Sequence, residues 1–138
     1  MSIIQTTTTS FKQEVLLGVH DLDLDTLKIA LYTSAADLNA GTTVYGTAAE
    51  VVGTGYTAGG IVLTGVSVTV SGTTAFVAFS NAVWNPASFT ARCALIYNFS
   101  KGNKSIAVLD FGADKTAVST FTVQMPANTA TTALIRFV

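Results

Sequence analysis

Hydrophobic and polar positions in this chain alternate far more often than they recur at helical spacing. In "GVSVTVSGTTAFVAFS" (65–80), Val66, Val68 and Val70 alternate with Ser and Thr, Ser71-Gly72 supplies a turn, and Phe76 to Phe79 form the returning run. That is the pattern of a β-hairpin. "TLKIALYT" (26–33) alternates only weakly, as a strand buried on both faces does. "FTARCALIYNF" (89–99) and "SIAVLDFG" (105–112) flank a Lys-Gly-Asn-Lys turn, and "AVWN" ends at Pro86. "AVSTFTVQM" (117–125) places Phe121, Val123 and Met125 on one face before Pro126 stops it. "TALIRFV" closes the chain in a strand pattern and is expected to be paired in a sheet.

One stretch has helical spacing. Ser10 with Gln13 three residues on is a capping-box pattern, Phe11, Val15, Leu16 and Val19 share a stripe, and Gly18 and His20 end it. The spacing predicts a helix over 10–19, too short to stand alone, whose stripe must dock on a sheet or a partner. Ahead of it, "MSIIQTTTT" carries four consecutive β-branched threonines and is expected to be an extended arm over 1–9. Extended termini fray unless tied down, and this arm is expected to lie on a neighbouring molecule. With seven or eight strands and frequent turn signals, the expected fold is all-β: a β-sandwich or jelly-roll-like small barrel in a single domain over 10–138.

Composition changes this picture in one respect. Only 11% of the 138 residues are charged, against about 25% in an average soluble domain. A folded chain of this size exposes roughly 6,800 Å², so its fifteen charges stand at about one per 450 Å². Mean hydropathy is nevertheless +0.51. Either a surface of threonine hydroxyls does the solvating, or a copy or another protein covers much of it. No segment is apolar enough to span a membrane, and "MSIIQTTTTSFKQE" lacks a basic region leading into an apolar one, so no secretory leader is expected. A net charge of −1 with only Lys101 and Lys104 clustered argues against nucleic-acid binding. The single cysteine, Cys93, permits no internal disulfide, and its apolar setting reads as a buried thiol.

Candidate chemistry is thin. "EVVGTGYTAGGIVL" (50–63) satisfies G-x-G-x-x-G/A through Gly53, Gly55 and Ala58, but a phosphate cradle needs a helix beginning within it. A strand pattern follows instead, so the glycines are read as turn residues around Tyr56. Asp21, Asp23 and Asp25 mimic the start of a calcium loop, yet Thr26 stands where its glycine belongs and Tyr32 where its glutamate belongs. The alternation with Leu22 and Leu24 reads as a strand with its carboxylates in water. His20, the only histidine, is expected to meet the last carbonyls of the helix, there being no G-x-S-x-G nucleophile to serve. Trp84, Phe89 and Tyr97 are either a sugar-stacking platform or core aromatics. No catalytic, metal or cofactor residue is assigned.

Four blocks in order, "SFKQEVLLGVHDL", "DTLKIALYTSAADLNAGTTVYGTAAEVVGTGYTAGG", "FTARCALIYNFSKGNKSIAVLDFG" and "TTALIRF", resemble a family of small structural proteins of tailed bacteriophages, over about residues 10–138. That resemblance implies a non-enzymatic virion component that works by contact, with no cofactor. The leading expectation is a capsid decoration (cement) protein, made in the host cytoplasm and placed on the outer capsid surface. It would contact the major capsid protein and its own copies, as a trimer in preference to a dimer. A tail- or fibre-associated protein and a carbohydrate-binding module on the virion are the alternatives. Expected contact residues are Ile3, Ile4, Thr6, Thr7, Thr8 and Thr9 of the arm, with Phe11, Val15 and Leu16 of the helix.

Overall fold

The computed structural model describes residues 2–138; Met1, the first residue of the expected arm, lies outside the described residues. In chain order the elements are β1 (Thr6–Thr7), α1 (Thr9–Leu16), β2 (Leu27–Tyr32), β3 (Ile61–Val62), β4 (Ser67–Ser71), β5 (Thr74–Ala78), β6 (Ala82–Trp84), β7 (Phe89–Asn98), β8 (Lys104–Ala117), β9 (Phe121–Val123) and β10 (Ile135–Phe137). A single 3₁₀ turn at Phe99–Lys101 leads into the β7–β8 connection. The protein is mostly β with one short helix, and every strand pair is antiparallel. Three sheets form, ordered β1-β8-β7-β2-β3, β10-β5-β4 and β6-β9, and none closes on itself.

The long hairpin of β7 and β8 is the frame. The expected Lys-Gly-Asn-Lys turn is present, with Gly102 and Asn103 both at positive φ. Strand β2 pairs with β7 from Leu27↔Asn98 to Tyr32↔Cys93. Both faces of this central pair are covered. Leu27, Ile29 and Leu31 face the main core with Ala94, Ile96, Ile106, Trp84, Phe121 and Ile135. Ala30 and Tyr32 face a second cluster with Leu95, Tyr97, Val108 and Leu38. That double burial is why "LKIALY" alternates so weakly.

At the N-terminus the structure revises the sequence expectation. The helix runs Thr9–Leu16 and not 10–19, with Thr8 as its N-cap in place of Ser10. A directional chain explains the choice. Phe11 N–H donates to Thr8 Oγ1 at 3.3 Å. Ser105 Oγ donates to the carbonyl of Thr42 at 2.7 Å. The hydroxyl proton of Thr8 is thereby left for Ser105 Oγ, 2.8 Å away. Any of the threonines could cap in isolation; only Thr8 sits over Ser105. At the other end Gly18, with φ +74, forms a Schellman motif, Gly18 N–H donating to Val15 O and Val19 N–H to Glu14 O.

The arm, expected on a neighbour, is tied to its own chain. Thr6 and Thr7 pair with Val108 and Ala107 as the edge strand of the five-stranded sheet. Ile4 N–H donates to Leu38 O, and Leu38 N–H donates to Ser2 O. Phe11 enters the main core at 1% exposure and Thr8 is fully buried, so neither offers surface to another molecule. Thr8→Ala is expected to lower the unfolding free energy by about 1–2 kcal/mol, whereas Thr9→Ala, at an exposed position one residue on, should leave it within about 0.5 kcal/mol; urea denaturation of the two variants checks the contrast.

Candidate functional surface

Three groups of side chains could carry chemistry, and each is engaged within the fold. The first surrounds Glu50 in the glycine-rich stretch. Its carboxylate accepts from Tyr45 Oη at 2.7 Å, from Tyr56 Oη, and from Gly59 N–H at 2.8 Å. Tyr56 Oη also accepts from Leu31 N–H at 2.9 Å, tying the loop to β2. Tyr97 donates to Gly59 O at 2.6 Å and stacks on Tyr45 at 4.7 Å between ring centroids. Tyr32 donates to Gly46 O. All four tyrosines therefore converge on this loop.

Burial, and after it the Glu50 carboxylate, pushes the Tyr97 phenol up to about 12. The same two causes hold Tyr32, Tyr45 and Tyr56 well above the usual phenol range, with the hydrogen bond to Glu50 adding to the shift of Tyr45 and Tyr56. These phenols remain donors at any physiological pH. The loop is held shut around a carboxylate and offers no phosphate cradle. Its glycines are needed where backbone meets backbone: a Cβ at Gly60 would run into Ile29 O, and one at Gly55 into Pro86 O, and both residues have positive φ.

The second group is a relay across the N-terminal region. Glu14 Oε1 accepts from His20 Nε2 at 2.9 Å, and His20 Nδ1 accepts from Asn98 Nδ2 at 3.0 Å. Asn98 Nδ2 also donates to Asp25 Oδ2 at 2.8 Å, and Lys101 donates to Asp25 Oδ1 at 3.1 Å. Lys104 lies 3.8 Å from Glu14. His20 therefore binds a side-chain carboxylate and an amide, and not the helix carbonyls as expected. Both ring nitrogens are occupied, so neither is free to serve a nucleophile. The aspartates form a turn and not the expected strand: Asp25 N–H donates to Asp21 O, and Asp21 Oδ1 accepts from the Asp23 and Leu24 amides. Asx-type bonding of this kind competes with strand geometry and wins here because Asp25 is anchored by Asn98.

The third group is the aromatic set. Trp84 and Phe89 lie in the main core with Phe121 and Tyr56, and Tyr97 is buried on the opposite face of β7. None presents a ring to solvent, so these aromatics form no stacking platform. Cys93 is buried as well. Burial first and the Asp110 carboxylate second push its thiol up to about 12, against a smaller opposing effect of Arg92. Among the described residues no group of three or more His, Cys, Asp or Glu gathers as a metal site.

The exposed surface carries an unusual share of large apolar side chains. Among the described residues fourteen large hydrophobic side chains are exposed, nearly as many as the fifteen charged residues of the whole chain. Leu16 and Leu17 at the end of α1 are 85% and 70% exposed, and Ile4 stands out from the arm. Of the expected contact residues, Ile4, Thr9 and Leu16 are exposed, Ile3, Thr6, Thr7 and Val15 are half-buried, and Thr8 and Phe11 are enclosed. An apolar groove of about 480 Å³ runs between α1 and the β10-β5-β4 sheet, lined by Val15, Leu22, Val68, Val77, Ile135 and Phe137 among others. No helix among the described residues is long and apolar enough to cross a membrane. No family model, curated protein or solved structure matches the chain.

Two measurements test the networks. Glu50→Gln keeps one acceptor oxygen but sets amide protons against the donors on the other, one of the two phenols among them, and is expected to cost about 1–3 kcal/mol in urea unfolding. For Asp25, burial raises the carboxyl, but hydrogen bonds from Asn98, the turn backbone and Lys101 outweigh it and hold it below the usual range. A depressed folded value contributes stability above the ordinary carboxylate range that is lost as pH falls through it. Thermal unfolding from about pH 6 to pH 2 should therefore show a smaller acid loss in Asp25→Asn than in the wild type.

Proposed function

We propose that this chain is a structural protein of a tailed-phage virion, a capsid decoration (cement) protein that binds the assembled head and bridges neighbouring capsid subunits. The observation that carries this reading is a contrast within one molecule. Its polar chemistry is spent on internal bonds, at Glu50, His20, Asn98 and Asp25, while large apolar side chains stand in solvent with few charges among them. A surface of that kind gains free energy by being covered, at about 25 cal/mol per Å² of apolar area. The order of the four sequence blocks points the same way.

The scaffold we infer is a β-sandwich. The five-stranded sheet forms one layer, and the β10-β5-β4 and β6-β9 sheets supply Val77, Trp84, Phe121, Val123 and Ile135 to the core it shares. On this reading Ile4, Leu16 and Leu17 meet the major capsid protein, and copies of the chain meet one another. Binding the assembled lattice and not its dissociated subunits lowers the free energy of the assembled state by linkage. Many copies together then resist internal pressure although each contributes little.

Quantitative mass spectrometry of purified particles is the test. Hundreds of copies per particle are expected; a few tens would place the protein in the tail, and none would overturn the virion reading. Truncation of the whole arm is a poor probe, because it removes β1 and the Thr8 cap. The paired change Leu16→Lys and Leu17→Lys alters only exposed side chains. It is expected to lower occupancy on particles by about tenfold or more at fixed protein concentration, with thermal stability unchanged; full occupancy would remove the helix end from the contact.

A further inference from the structure

We infer that β4 is a self-association edge, pairing antiparallel with β4 of a second copy about a two-fold axis through Thr69. Strand β4 is the outer strand of its sheet and all five of its residues are exposed. Its register with β5 runs from Ser67↔Ala78 to Ser71↔Thr74, closed by a two-residue loop with Gly72 at φ +62. In such a hairpin the residues flanking the loop exchange ladder bonds, and the pattern alternates from there. Ser67, Thr69 and Ser71 therefore direct their backbone groups to β5. Val68 and Val70 direct theirs to the open side.

An open edge of this kind is normally guarded by charge, proline, a bulge or brevity. The other edges here are guarded. Strands β1 and β3 have two residues each, β6, β9 and β10 have three, and β10 carries Arg136. Beyond its pairing with β1, the outer side of β8 bears Asp110, Asp114 and Lys115. Strand β4 has none of these devices, and no charged residue occurs anywhere between Glu50 and Arg92.

The occupant follows from the order of the residues. Ser67-Val68-Thr69-Val70-Ser71 reads the same in both directions. A two-fold contact sets each residue against its mirror position, so Val68 meets Val70 of the second copy, Ser67 meets Ser71, and Thr69 meets itself. The outward backbone groups of Val68 and Val70 then face each other and close four ladder bonds. Side chains agree as well. Val68 shares a row with Val77 and Ile135, and Val70 with Ala75 and Phe137, so pairing joins the apolar faces of two sheets into one of six strands. An isologous contact places any charge beside its own copy, and this strand has no charge to repel. A five-residue strand is only about 17 Å long, so the contact falls short of the roughly 1,600 Å² of a standard interface, and association in the micromolar range is expected.

This goes beyond the virion reading by locating self-contact on one strand, with a two-fold pair in place of the trimer expected from the sequence, and a result in free solution leaves the particle measurement independent. Analytical ultracentrifugation of the purified chain from low micromolar to several hundred micromolar is expected to show a concentration-dependent dimer. Thr69→Lys and Thr69→Glu each place like charges opposite one another and should sediment as folded monomers, while an equimolar mixture of the two should dimerise again. Thr69→Cys should cross-link under mild oxidation, since opposed residues of a non-bonded pair lie about 4.5 Å apart at Cα and Cys93 is buried. A wild type that stays monomeric over the whole range overturns the inference. So does an oligomer, dimer or trimer, that both charge variants form as the wild type does.

Discussion

Strand β7 runs between β2 and β8 with Cys93 to Asn98 out of contact with water, so both of its faces have to be covered by other parts of the same chain. On one face the later strands and Phe11 do this, bringing Trp84, Phe121, Val123 and Ile135 against Ala94 and Ile96. On the other face no sheet is available, and the loops between β2 and β3 fold over Leu95 and Tyr97 together with Ile3 of the arm. Tyr32, Tyr45, Tyr97 and the N-terminal pairing all follow from that second requirement. Tyrosine suits it because each ring adds buried area and still has a hydroxyl to satisfy the polar backbone of a loop.

Covering a sheet face with loops brings polar groups into low-dielectric surroundings, where an unpaired one is costly. Glu50 answers that cost in the glycine-rich loop by accepting three bonds, two of them from phenols. The relay from Glu14 through His20 and Asn98 to Asp25 pairs the His20 ring and the Asn98 amide nitrogen between the helix end and the tip of β7, leaving only Asn98 Oδ1 of that relay without a partner. In each network the group with the most reactive chemistry is the one most fully committed to holding elements together. The chemistry left for the outside is hydroxyls, a few scattered charges, exposed aliphatic side chains and one unguarded strand.

The difference between the arm and β4 shows how alike two segments can look and how differently the fold treats them. Both are uncharged, rich in threonine or serine, and interrupted by β-branched residues. Thr6 and Thr7 find a free edge on β8 and close it, so a segment expected to reach outward is consumed internally. Strand β4 finds β5 on one side only, and its alternating valines stay in solvent.

Period and punctuation by themselves determined the strands that carry the fold. Weak alternation in "LKIALY" and regular alternation around Phe121 report how many faces are buried, because burial selects side chains residue by residue along a strand. The turn residues Gly72 and Gly102 report where the chain reverses, because few other residues tolerate their backbone angles. Tertiary structure alone decided which threonine caps the helix, where the aspartates turn, and that Tyr56 ties its loop to β2. Each of those outcomes depends on a partner distant in sequence: Ser105 for Thr8, Asn98 for Asp25, and Leu31 for Tyr56. A hydrogen bond is made by proximity in space, and local spacing carries no record of which distant residue will supply the other half.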